Sequence, residues 1–226
     1  VRALVIGNGD DFDSGYIGHR FRERGYVFSE LHRDRSGEWP DDATTLCGID
    51  LLLVLGSEWN IYQPELADAV AAEAALVLDA HRSGVPTFGI CYGAQMVAHA
   101  CGGEVSRAAA PEIGWYTIDS DVADVPSGPW AQWHYDVFTV PDGFTELARS
   151  SVGPQAIRSG RTFATQFHPE LTETMIVRWL GMGGADHYRA FGGDPDELVA
   201  ETRANIAVSR EAAFALVDWF CESVAG

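Results

Sequence analysis

Gly89-Ile90-Cys91-Tyr92-Gly93-Ala94-Gln95 sets a cysteine between glycines where a short apolar run gives way to a helical pattern. This is the cysteine form of the G-x-S-x-G nucleophile elbow. A nucleophile on a sharp strand-to-helix turn takes a strained backbone, and side chains beside it would collide, so glycines flank it. The turn lifts the thiol above the sheet and sets it at a helix N-terminus, where unpaired amides favour thiolate. The bland alternative is a buried cysteine in a tight turn. The second motif is Thr165-Gln166-Phe167-His168-Pro169-Glu170. A cysteine nucleophile needs a base, and the base needs a third group to fix its tautomer and orientation. Residues i and i+2 of an extended segment share a face, and Pro169 biases His168 towards extension. Cys91, His168 and Glu170 are therefore a candidate triad. Its alternative is a surface loop holding unrelated polar residues.

Taken together, the two motifs resemble those of the class I (triad) glutamine amidotransferases, especially their GMP-synthetase-like branch. The resemblance covers about residues 1–180, with His168 falling 77 positions after Cys91. It implies that Cys91 attacks the glutamine side-chain carbonyl to give a γ-glutamyl thioester and ammonia, with His168 as base and acid and Glu170 orienting it. It also implies an oxyanion hole from the backbone amides of Tyr92 and of the loop Leu55-Gly56-Ser57. The family commonly has Gly-Gly-Pro there, where this chain has Gly56-Ser57-Glu58. By the same resemblance Gln95 contacts the backbone end of the substrate. Trp133-His134-Tyr135-Asp136 matches the segment whose main chain grips the substrate's α-amino and carboxylate groups, with Tyr135 where many relatives have glycine. No cofactor and no metal are implied.

These residues must be positioned by an α/β frame. Residues 3–6, 50–55 and 86–90 read as buried strands, and their alternation with helical patterns predicts a parallel sheet. A helix starting at Pro64 and stopped by Gly84 carries Leu66, Val70, Ala74, Leu76 and Leu78. Segments 113–119, 132–140, 155–158 and 162–167 read as antiparallel additions to that sheet. From Leu171 the chain turns helical, and the glycines of 181–184 and 192–193 predict a loop. A last helix is capped by Asp194, with Pro195 at its first position and Glu197 two residues on. Its stripe is Leu198, Thr202, Ile206, Ala213, Leu216, Val217 and Phe220. The expected fold is an open, mainly parallel, flavodoxin-like α/β sheet flanked by helices, as in class I glutamine amidotransferases. Residues 1–180 form the amidotransferase domain and 181–226 a helical extension on it. The stripe could pack on the sheet's flank or mediate a homodimer.

Composition excludes some classes. The formal net charge is −18 and all 15 basic residues are arginine, which argues against nucleic acid as a partner. Cys47, Cys91, Cys101 and Cys221 show no metal-ligand spacing and suit a reducing cytoplasm. Apart from Cys91 they are expected to be buried or incidental. No stretch reaches the roughly 18 apolar residues of a membrane span. Gly7-Asn8-Gly9 lacks the third glycine of a dinucleotide loop, with Phe12 standing there. Asp10, Asp11 and Asp13 are more cheaply explained by turn and helix-start chemistry than by magnesium. Trp115, Trp130 and Trp133 are expected mainly to pack a core. With no Walker loop and no lysine to hold phosphate, the chain shows nothing that would activate an ammonia acceptor. Ammonia would be released or passed to a separate synthetase. A γ-glutamyl amine or peptide hydrolase with the same triad is the second reading, and a catalytically silent binding protein the third.

Overall fold

The computed structural model describes residues 1–9, 11–33 and 46–226. Its centre is a parallel sheet of β1 (Arg2–Asn8), β3 (Leu51–Val54) and β4 (Thr87–Ile90), matching the three apolar runs. Residues of β3 and β4 are buried on both faces, as helices on each side of a parallel sheet require. β2 (Val27–Arg33), which the hydrophobic pattern does not single out, pairs with β1 as an edge strand and is largely exposed. Only its end, Leu31 and Arg33, is buried.

Beyond β4 the sheet continues through β10 (Thr162–Thr165), which runs parallel to it. It then turns antiparallel through β9 (Pro154–Ser159), β8 (Thr145–Arg149) and β6 (Asp119–Ser120). The order is β2-β1-β3-β4-β10-β9-β8-β6. Its first four strands follow the flavodoxin-like order, in which sites form beyond the carboxyl ends of the strands.

One expectation is corrected. Segments 113–119 and 132–140 fall mainly in β5 (Val105–Tyr116) and β7 (Trp130–Phe138), which pair with each other as a separate two-stranded ribbon. Their register shifts between Arg107 and Glu112, where Pro111 cannot donate to a ladder. The ribbon meets the body of the protein through a bridge between Ala131 and His168.

Three helices support the sheet's first half. α1 (Gly15–Glu23) follows β1, and α2 (Ala67–Ser83) follows a single 3-10 turn at Pro64–Leu66. Gly84 ends α2 at φ 71°, a left-handed cap that suits glycine. α3 (Tyr92–Ala100) leaves directly from Cys91.

The C-terminal part departs from expectation once more. After α4 (Glu173–Trp179), capped by Thr172, residues 181–193 are not simply a loop. The chain kinks at Gly183 (φ 103°) and forms α5 (Ala185–Ala190). The glycines mark the kink and the exit, but between them lies a short helical run too brief to show a period. α6 (Pro195–Trp219) then starts with the Asp194 carboxylate accepting from the Asp196 amide at 2.9 Å. Its buried face matches the expected stripe except that Ser209 is buried and Ile206 only half so.

The helix end belongs to the core. Phe220 is fully buried against Phe21, Phe88 and Phe163, with ring centroids 5.9, 5.2 and 6.5 Å away. Arg20 and Arg24 of the α1 region pair with Asp218 at 2.7 Å each. Phe220→Ala should therefore destabilise the protein by about 3–5 kcal/mol in chemical denaturation. A loss below about 1 kcal/mol would mean that the extension is not part of the cooperative core.

Candidate active site

β4 delivers Cys91 to its position. Its backbone sits at φ 52°, ψ −106°, and among the described residues it is the one non-glycine with positive φ. The Cys91 amide donates to the Thr165 carbonyl of the neighbouring strand at 2.7 Å, and its own carbonyl accepts from Ala94 and Gln95. The flanking glycines are required by close approach. A Cβ on Gly93 would lie 2.1 Å from the Val54 carbonyl oxygen, and one on Gly89 2.7 Å from that of Gly93.

The segment after β10 brings His168 and Glu170 beside it. The His168 amide donates to the Ala131 carbonyl at 2.8 Å, and its Nδ1 meets Glu170 Oε1 at 2.7 Å. Among the described residues, His168 Nε2 and Glu170 Oε2 have no hydrogen-bond partner. Gly56 borders both residues, since a Cβ there would be 3.3 Å from His168 Cε1 and 3.7 Å from Cys91 Cβ. The Glu170 carbonyl accepts from Tyr16 N at 2.9 Å, and Gly15 (φ 45°) approaches so closely that a Cβ would overlap that carbonyl oxygen. All three candidate triad residues are buried. Burial disfavours an imidazolium, but the negative charges of Glu170 and Cys91 outweigh it and hold His168 well above its ordinary range.

The loop after β3 carries Leu55, Gly56 and Ser57. Ser57 Oγ donates to Asn8 Oδ1 at 3.0 Å and accepts from the Trp59 amide. Glu58, in the position where the family commonly has proline, accepts from Asn8 Nδ2. Beneath this loop lies an ion pair that the sequence reading passed over. Arg33 and Glu73 have fully buried side chains and meet through two bonds of 2.8 and 2.9 Å. The signal was present as a glutamate on the apolar face of α2, among Val70, Leu76 and Val77. Tyr92 opens α3 fully buried, with the Arg33 guanidinium 4.6 Å over its ring, and burial pushes its phenol pKa up.

β7 forms the opposite wall. The Trp133 carbonyl lies 3.9 Å from Cys91 Sγ. His134 is buried with both ring nitrogens facing acceptors, the Asp136 carbonyl and the Glu112 carboxylate, each at 3.0 Å. Glu112 Oε2 also accepts from Gln155 and Ser150. Asp136 accepts from Tyr62 at 2.8 Å, with Arg107 3.7 Å away. Tyr135 lies under the Arg107 guanidinium and against Phe191 of the extension. Gln95 is buried beneath the cysteine, where it donates to Gln166 at 3.2 Å, and Gln166 reaches Cys91 Sγ at 3.6 Å. Gln166, Glu112 and Trp179 were not singled out from sequence. Trp179 meets the His168 ring edge-on at 5.1 Å.

The remaining expectations fall outside this cluster. Asp11 and Asp13 pair with Arg178, Asp11 also accepts from Trp179 Nε1, and Asp13 caps the Gly15 amide. Asp10 lies outside the described residues. Trp130 stacks on Phe167 in the core, and Trp115 donates to Thr202. Cys47 is exposed, and Cys101 and Cys221 are half-buried rather than core residues. No helix among the described residues is long and apolar enough to cross a membrane.

An α/β sheet with a cysteine elbow and a His–Glu pair at its carboxyl edge defines a class, and comparison agrees. The profile of class I glutamine amidotransferases matches residues 5–176. The chain belongs to the class I glutamine amidotransferase family and is related to the glutaminase part of GMP synthases. It is 33% identical over 217 residues to a glutamine-hydrolysing GMP synthase of Aeropyrum pernix, an alignment covering 87% of this chain and 40% of that protein. With the corresponding enzyme of Bdellovibrio bacteriovorus it shares 31% identity, over 73% of this chain and 32% of that one. The chain thus spans well under half the length of these relatives. A glutamine amidotransferase of Thermotoga maritima superposes with a TM-score of 0.86 at 27% identity, covering 99% of both chains.

The electrostatics of His168 generate a test. Glu170→Gln removes the carboxylate charge that favours the imidazolium, so the histidine should lose its proton at lower pH. The alkaline limb of kcat/KM should move to lower pH, and the rate should fall at least about 10²-fold. An unmoved limb would exclude Glu170 as the source of the shift. By linkage, a raised folded-state value also adds stability below the ordinary imidazole range, lost as pH rises through the folded value.

Proposed function

We propose that this chain hydrolyses the side-chain amide of glutamine through a γ-glutamyl thioester on Cys91. The observation that carries this reading is Cys91 on a strained elbow, with His168 and its 2.7 Å Glu170 partner beside Gly56. Family membership supports it. Residues 1–180 would be the amidotransferase unit and 181–226 an extension of the same domain.

In this reading His168 takes the thiol proton and Cys91 Sγ bonds to the γ-carbonyl carbon. The negative charge forming on the carbonyl oxygen is met by the amides of Tyr92 and of Gly56 or Ser57. His168 returns its proton to the amide nitrogen, the C–N bond breaks and ammonia leaves. Water then attacks the thioester, His168 accepts its proton, and the C–S bond breaks to give glutamate. The main chain of Trp133–Asp136 would hold the α-amino and carboxylate groups. Gln95 would act from below the cysteine through Gln166, consistent with its burial. Kinship with GMP synthases supports a synthetase as the ammonia acceptor. The aromatic pair Tyr135 and Phe191, beside the segment that would grip substrate, favours a second reading. In it, the same chemistry acts on a γ-glutamyl amine with a larger leaving group.

Purified protein given glutamine should release ammonia, and Cys91→Ala should abolish the release. Equal rates in the two proteins would eliminate the triad. A panel of γ-glutamyl amines compared by kcat/KM separates the two substrates; a clear preference for an amine over glutamine would select the second.

A further inference from the structure

We propose that Arg33 is a positioning residue for the oxyanion loop, aiming the loop's amides at the reacting carbonyl from outside the site. The inference rests on the reading that the Leu55–Ser57 loop supplies those amides. Arg33 is planar, and every edge of its fork is used. Nε and Nη2 hold Glu73 at 2.9 and 2.8 Å. Nη2 also donates to the Leu55 carbonyl at 3.0 Å, and Nη1 to the Gly56 carbonyl at 3.1 Å and to Asn8 Oδ1 at 3.3 Å.

The two carbonyls belong to the peptide units whose amides are those of Gly56 and Ser57. In a trans peptide the C=O and N–H point in opposite directions. A guanidinium that draws both carbonyls to itself therefore turns both amides away from it. Gly56 is the residue that borders Cys91 Cβ and His168 Cε1. A loop with Glu58 where the family commonly has the φ-fixing ring of proline is thus held by a charge beneath it. Glu73 neutralises that charge, since a buried arginine without a partner would be strongly destabilising. Asn8 ties the device to Ser57 as well, because its Oδ1 accepts from both Ser57 and Arg33.

The test must separate aim from stability. Replacing both members by apolar residues of similar length, Arg33→Met with Glu73→Met, avoids an orphaned buried charge. Arg33→Lys is the second variant, because it keeps a cation for Glu73 but cannot reach both carbonyls with a planar fork. In each, kcat for glutamine should fall about 10-fold or more with KM changed little, as expected when positioning is lost. Amide hydrogen exchange in a peptide spanning residues 51–59 should accelerate relative to the rest of the sheet. Folded variants with wild-type kcat and unchanged exchange in that peptide would overturn the assignment. If the parent protein itself releases no ammonia from glutamine, the proposed activity fails. The exchange result then decides the role of Arg33 alone: acceleration confined to residues 51–59 sustains it, and no change refutes it.

Discussion

The architecture of the candidate site depends on one backbone conformation, the positive φ of Cys91. A non-glycine residue held there carries strain on the order of 1–3 kcal/mol and persists only where its surroundings over-determine it. Those surroundings are specific. The amide is pinned to Thr165 on β10, the carbonyl begins α3, and glycines at 89 and 93 leave the clearance that Val54 and the helix start demand. β10 can pin the cysteine because it lies parallel and adjacent to β4, and the same strand leads three residues later into His168. Sheet order and site geometry are thus one constraint.

Around this point the protein sets buried carboxylates against buried nitrogen-bearing side chains. Glu170 restrains His168, Glu112 restrains His134, and Glu73 restrains Arg33. Each pair lies under a different wall of the site: the base, the ribbon strand facing the thiol, and the loop after β3. Buried pairs of this kind add little net stability, because desolvation offsets their attraction. Their effect here is directional, since each holds a ring or a guanidinium in one orientation. The strongly acidic surface is a separate matter, and its exposed ion pairs contribute little.

Much of this was legible in the sequence, for physical reasons. A strand buried on both faces leaves a continuous apolar run, so β1, β3 and β4 could be read directly. The elbow was legible because its steric demands fall on adjacent residues. His168 and Glu170 were legible because extended backbone puts alternate residues on one face. What could not be read depended on contacts between distant positions. β2 is an exposed edge with no period to detect, and the ribbon's separation from the sheet follows from pairing of β5 with β7 that no local pattern encodes. The buried arginine was hidden for the same reason, its partner being 40 positions away. Only Glu73, an acid on an otherwise apolar helix face, gave an outward sign of it.

The bridge between Ala131 and His168 has a mechanical consequence. One hydrogen bond joins the imidazole's backbone to the ribbon whose next residues line the other side of the thiol. His168 is thus held from two sides, by the ribbon through Ala131 and by the sheet through β10, which also takes the Cys91 amide. The ribbon that faces the thiol is thereby keyed in register to the imidazole through main-chain atoms, so its alignment with the sheet does not depend on side-chain packing alone.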